Sequence, residues 1–258
     1  MPTEEYDAHV YETHRDLTDA LPETAFLWRY MDLSRFVDLL QSKELHLARA
    51  DQMQDRWEGV FGPTNAAMRP ALYGNDSPAL GELFKTMEEH SRTHTFLNCW
   101  YASDYESAAM WSIYDRVGRG VAIRTTKERL KRALTGSKPV YGATVEYVDY
   151  SNHYVSERNS FHPFLCKRRS FEHEREYRLM TTWSPQPIDD EGNIAPGSDI
   201  PPTGVRESVD LDDLVERVYV SPEAPGWFHG IVHRLVTDYG HDWVVEHSDL
   251  SSDNAPIY

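Results

Sequence analysis

Cysteine is nearly absent. Cys99 and Cys166 are the only two in 258 residues; with no CxxC spacing, they indicate neither a disulfide framework nor a cysteine-rich zinc site. Both read as buried, reduced thiols. The twelve histidines are scattered without HExxH-type spacing, so no metal is indicated. Apolar runs fall far short of the ~20 residues that span a bilayer, and the opening MPTEEYDAHVYETHRD is acidic and lacks a signal-peptide core. These absences predict a soluble, cytoplasmic protein with no membrane contact. Lysine is also scarce, with six against twenty arginines, while 42 Asp and Glu bring the net charge to −16. That balance disfavours polyanion binding through the whole surface, and it is the composition of a protein kept soluble in concentrated salt.

What remains is enough for a core: 40% of residues are hydrophobic, and no linker divides the chain. Residues 1–24 read as a polar arm, mobile or briefly helical. Residues 25–258 read as a single α+β domain with a mixed or split central sheet flanked by helices. Strands are expected at 25–30, 45–49, 93–100, 121–125, 142–150, 217–221 and 242–246. Helices are expected after Asp32 or Ser34, over 78–92, behind a Ser103 cap, over 126–134 and from about 225 to 239. Residues 63–77, rich in Gly, Pro and Asn, read as irregular, and 184–204, with five Pro and three Gly, as a long exposed loop. The Gly118–Arg119–Gly120 step is too short for a phosphate-binding fingerprint and reads as a turn.

The most charged segment flanked by apolar residues is FLCKRRSFEHEREYRL, Phe164 to Leu179. Its first part reads as a helix over 161–170. If the second part is a strand, Glu174, Glu176 and Arg178 share one face, two carboxylates beside a guanidinium. If it is a helix, Glu174 and Arg178 form a solvated i,i+4 pair. The continuation Leu179–Trp183 favours the strand. Asp55 and Glu58, in the acidic loop around Trp57, lie one turn apart if that loop is helical, close enough to raise one another's pKa. The bland reading has them capping local backbone and pairing with Arg56. Trp111 and Tyr114 offer a stacking surface for a planar ring, against the commoner fate of core packing. Lys167, Arg168 and Arg169 form a local basic patch able to meet phosphate.

The ordered segments Leu27–Gly59, Asn98–Thr126, Cys166–Leu179 and Val218–Trp227 resemble the domain-of-unknown-function 2971 family over roughly 25–250, which implies a fold more than a role. More distantly the chain resembles the ADP-ribosyltransferase fold, in which an early strand carries Arg or His and a later one carries Glu-x-Glu. Arg29 and Glu174-x-Glu176 fill those places here; the Ser-Thr-Ser element of the Arg-type enzymes is not visible, and Tyr30 follows Arg29.

That resemblance implies transfer of ADP-ribose from NAD without a metal, with Glu176 stabilising the developing cation and Glu174 orienting or deprotonating the acceptor. Arg29 would hold the pyrophosphate, and Tyr30, Arg49, Asp55, Glu58, Ser103, Trp111, Tyr114, Lys167 and Arg178 complete the substrate-binding set. The rival reading is a noncatalytic nucleotide- or nucleic-acid-binding module built on Lys167, Arg168, Arg169 and Arg178, with the glutamates fixing those cations. A third is a magnesium nuclease using Asp55, Glu58, Glu174 and Glu176. Composition and pattern name neither the acceptor nor an oligomeric state.

Overall fold

The chain's alternating and helical patterns build one large sheet with helices packed against it in a computed structural model, which describes residues 11–12, 17, 19–74, 77–115, 117–183 and 200–251. A two-residue strand, β1 (Tyr11–Glu12), precedes β2 (Phe26–Asp32). Asp32 ends β2 and caps α1 (Leu33–Ser42) by accepting from the Arg35 backbone N–H, the service expected of a short acidic side chain at that position. Lys43, in left-handed conformation, turns the chain into β3 (Glu44–Arg49). A 3₁₀ turn at Ala50–Gln52 follows.

Residues 63–77 are not irregular throughout. Pro63 sits in the first turn of α2 (Pro63–Tyr73), where its missing N–H costs nothing, and Gly74 ends the helix. Then come α3 (Ser77–His94) and β4 (Thr95–Ala102). The cap of α4 (Ala108–Tyr114) is Ser107, not Ser103; Ser103 instead accepts the Tyr105 N–H within the preceding turn. β5 (Gly120–Thr126) leads into α5 (Lys127–Ala133), capped by Thr126.

The single strand expected over 142–150 is two, β6 (Val140–Thr144) and β7 (Glu146–Val148), which enter different sheets. Residues 161–170 are not one helix but a 3₁₀ turn at His162–Leu165, then β8 (Cys166–Arg168), then a second 3₁₀ turn at Arg169–Glu174. β9 (Glu176–Thr182) follows. The expected loop 184–204 lies mostly outside the described residues, apart from its end, where Gly204 opens β10 (Gly204–Ser208). The chain closes with α6 (Leu211–Leu214), β11 (Arg217–Val220), α7 (Gly226–Asp238) and β12 (Val244–His247). The described part of the N-terminal segment is pinned: β1 pairs with β6, and the Tyr11 hydroxyl meets that of Tyr177 at 2.9 Å.

The fold is a single α+β arrangement around a ten-stranded mixed sheet, with β7 and β8 forming a small parallel pair. Its central feature is a fork. β4 pairs with β9 along its length, but on its other edge β2 meets it only at Ala102 and Tyr101, and β3 only at Leu97 and Phe96. β2 continues against β5 and β3 against β10. Among the described residues, 98–100 of β4 therefore have a strand on one side only.

One face of the sheet carries the main core, where Phe36, Leu40, Leu130, Phe228 and Val232 from α1, α5 and α7 cover Leu27, Leu47, Trp100, Tyr177 and Val218. The other face carries two apolar clusters. Trp28, Tyr30, Tyr101 and Tyr219 lie under Met110 and Trp111 of α4; Leu97, Ala143 and Met180 lie under Phe161, Phe164 and Leu165. Between those clusters strand alternation places Cys99, Glu176 and Arg178, since Tyr101 pairs with Glu176 and Cys99 with Arg178.

Candidate functional site

A fully buried arginine forms the floor of the charged stretch. Arg178 donates to Glu58 at 2.7 and 2.9 Å, to Glu176 at 2.6 Å and to the Phe164 carbonyl at 2.6 Å. Burial works against a charge there, but Glu176 and Glu58 raise its pKa well above the ordinary value. Lys167, brought up by β8, donates to Glu174 and to Glu176 at 2.5 Å each and lies 3.4 Å from Glu58. The acidic loop thus converges on the charged stretch. Gly59 makes this possible: its φ is +73°, and a Cβ there would sit 2.1 Å from the Phe164 ring, so only glycine lets the loop close and deliver Glu58.

Asp55 is also buried, but it accepts from the Trp57 N–H and from the Arg168 guanidinium rather than from Arg56. Asp55 and Glu58 therefore each have their own cation.

Glu174 reaches this cluster by a different route from the one alternation suggests. It ends a 3₁₀ turn, and Arg175, at φ 39°, reverses the chain so that β9 begins only at Glu176. A non-glycine residue held at positive φ is uncommon and marks a locally determined backbone. The outcome is two carboxyls on one ammonium, with different surroundings: the Glu176 side chain is 4% exposed and that of Glu174 21%.

Among Glu58, Glu174, Glu176, Lys167 and Arg178, three carboxylates face two cations, so full ionisation leaves one negative charge uncompensated. A proton on Glu174 cancels it. Burial and the hydrogen bond to Glu176 push the Glu174 pKa up to about 7, despite Lys167. For Glu176 burial is overridden by Arg178, by the hydrogen bond from Glu174 and by Lys167, which hold it well below the usual range. The pair thus divides into a fixed anion and a carboxyl that exchanges its proton near neutrality.

The other side chains expected at a site divide clearly. Tyr114 is half-exposed; burial and the nearby Cys99, Glu176 and Glu174 raise its pKa while Arg29 opposes, so its hydroxyl shares their surroundings. Arg29 enters the fork and donates to the Cys99 carbonyl at 3.0 Å. Tyr30 and Trp111 are core residues, packed edge to face at 4.9 Å; Trp111 donates to Glu106, and the Tyr30 hydroxyl accepts from the Ser107 N–H. Arg49 is held in a two-point ion pair with Asp51. Of the basic patch, Lys167 is enclosed, Arg168 is paired with Asp55, and Arg169 is exposed.

Sequence reasoning missed Cys99 and Tyr147. Burial raises the pKa of the Cys99 thiol, with Glu176 adding to the effect, so it stays neutral; the Tyr147 hydroxyl accepts the Glu176 N–H at 2.8 Å. Neither carries a local signal, because strand pairing and the small sheet bring them there. No group of three or more potential metal ligands is found among the described residues, and no described helix is long and apolar enough to cross a membrane.

No protein-family model and no curated protein matches this chain. The class is thus defined by architecture alone: an α+β domain whose forked mixed sheet holds a buried ionic cluster with a protonatable carboxyl at its rim.

Proposed function

We propose that the protein is an ADP-ribosyltransferase-like enzyme that uses NAD, with Glu174 as the acid–base group. The supporting observation is the Glu174–Glu176 pair, in which the rim carboxyl has a pKa pushed up to about 7 beside a partner held well below the usual carboxylate range. A base poised near neutrality suits removal of a proton from an acceptor. When Glu174 is ionised the buried cluster carries its uncompensated negative charge, which favours the oxocarbenium-like cation formed as the glycosidic bond breaks. Glu176 and Lys167 act through Glu174 by setting its proton affinity. Tyr114 supplies a ring face for stacking, and Arg29 a cation for the phosphates. The cytoplasm fits this reading, since both cysteines are free thiols.

The test is release of nicotinamide from NAD without added metal, with a cell lysate supplying acceptors. Glu174→Gln is expected to slow release about a hundredfold without lowering the melting temperature. NAD binding without release would leave the noncatalytic module, with the exposed Arg169 as its best support. Magnesium-dependent cleavage of oligonucleotides would overturn the proposal in favour of a nuclease. That third reading has less support, because Asp55, Glu58, Glu174 and Glu176 already have Arg or Lys partners.

A further inference from the structure

Two histidine pairs stand four residues apart on helices, His90–His94 on α3 and His229–His233 on α7, each without the glutamate that HExxH would place after its first histidine. Residues at that separation lie on one face of a helix. The two pairs differ in what their rings do. On α3 the ring centres are 3.7 Å apart with planes inclined by 23°, whereas on α7 they are 6.5 Å apart and the His229 Nε2 is spent on the Val245 carbonyl at 3.0 Å. Of the two, only the α3 pair brings its imidazoles into contact.

The His94 ring is fixed in one tautomer. Its Nδ1 lies 2.8 Å from the His90 carbonyl, which can only accept, so the proton sits on Nδ1 and the lone pair on Nε2. A ring N–H held by a backbone carbonyl is the arrangement that orients metal-ligating histidines. The Thr93 hydroxyl donates to the same carbonyl at 2.9 Å, and the His94 carbonyl accepts the Trp183 N–H at 2.7 Å, so this end of α3 is anchored to the end of β9. Two imidazolium ions at 3.7 Å would repel, and burial together with His94 lowers the His90 pKa. The pair therefore stands in the neutral form, the one that binds metals.

We propose that His90 and His94 form a two-imidazole site for a divalent transition metal of the zinc, copper or nickel class at the end of α3. Imidazole suits those ions, whereas magnesium and calcium prefer oxygen ligands. Placing both ligands on one helix face makes the second bond intramolecular, so the pair binds more tightly than either histidine alone. His90 is exposed, and its ring makes no hydrogen bond among the described residues, so side-chain rotation alone opens the stack to admit the ion. Two protein ligands leave the remaining positions to water, which makes the site open rather than a closed structural one. The net charge of −16 favours any cation at the surface. The site uses none of the residues around Glu174 and is independent of the transferase reading.

The experiment is calorimetric titration of the chelator-treated full chain with zinc chloride at pH 7.5 in a buffer that does not bind metal. The wild type is expected to bind zinc, with affinity lowered about tenfold or more in His90→Ala, where the chelate is lost. Because His90 is exposed, this variant should fold, and its metal-free melting temperature should match the wild type's. His233→Ala should bind as the wild type does. Zinc should raise the melting temperature of the wild type by mass action and that of His90→Ala by less. Copper(II) on the wild type should show two coupled imidazole nitrogens by pulsed electron paramagnetic resonance, and one in His90→Ala. Absence of zinc binding at millimolar metal, equal affinity in His90→Ala, or a single coupled imidazole in the wild type overturns the site.

Discussion

Glu174 and Glu176, two residues apart, meet on the Lys167 ammonium, each 2.5 Å from Nζ, yet their proton affinities move in opposite directions. The folded-state pKa of Glu174 is raised from 4.5 to about 7, so between those values the native state holds a proton that the unfolded chain has lost. Its contribution to stability is full below about pH 4.5 and is lost as pH rises toward 7. Glu176, with its pKa depressed, contributes above its unfolded value and loses that contribution as pH falls.

Glu174→Gln mimics the protonated form and so isolates the first effect. It is expected to be at least as stable as the wild type at pH 7.5, and its advantage should be clearly smaller at pH 5.5. Urea unfolding of both proteins at the two pH values measures it. A difference independent of pH would mean that the Glu174 carboxyl is not shifted.

Arg178 has no exposed surface and joins Glu58 to Glu176. Arg178→Met keeps volume but leaves two carboxylates buried without their guanidinium, which should cost about 3–5 kcal/mol. The exposed pair Arg132–Asp213 is the control: Arg132→Met should change stability by less than about 1 kcal/mol. Comparable losses in the two variants would contradict an enclosed network.

Much of the fold was legible from local chemistry. Asp32 before an amphipathic run and Gly240 after α7 mark helix ends through a side chain or φ, and the structure has them there. The converging charges were legible only in part. Glu176 and Arg178 share a face by alternation, but Glu174 arrives through the left-handed Arg175, a conformation that nothing in an arginine's chemistry announces. Glu58 arrives through Gly59 against Phe164, a contact 105 residues apart in sequence. The fork was not legible at all, because strand pairing at Tyr101 and Leu97 is decided by partners distant in sequence.

A net charge of −16 with six lysines places carboxylates close together over the surface, where their mutual repulsion is screened by salt. The melting temperature is therefore expected to rise from low to molar potassium chloride. The buried pairs of Lys167 and Arg178 are screened far less and should not reverse the trend. A flat or falling melting temperature would remove the salt-adapted reading of the composition.

Arg175 is the hinge on which Glu174 depends. It is exposed, its φ is 39°, and its carbonyl accepts the Ala102 N–H, locking the reversal onto the end of β4. A left-handed conformation costs an L-residue roughly 1–2 kcal/mol, which glycine avoids, although glycine also loses about 0.5–1 kcal/mol through the entropy of the unfolded chain. Arg175→Gly should therefore be neutral or stabilising by up to about 1 kcal/mol, and it should retain the raised Glu174 pKa. Arg175→Val introduces a β-branched side chain where φ is positive; it should destabilise by more than about 1 kcal/mol and pull Glu174 away from Lys167. Carboxyl chemical shifts of Glu174 followed against pH by NMR, alongside urea melts, report both effects. If Gly and Val are equally tolerated and both leave the titration near 7, the reversal at Arg175 does not position the carboxyl.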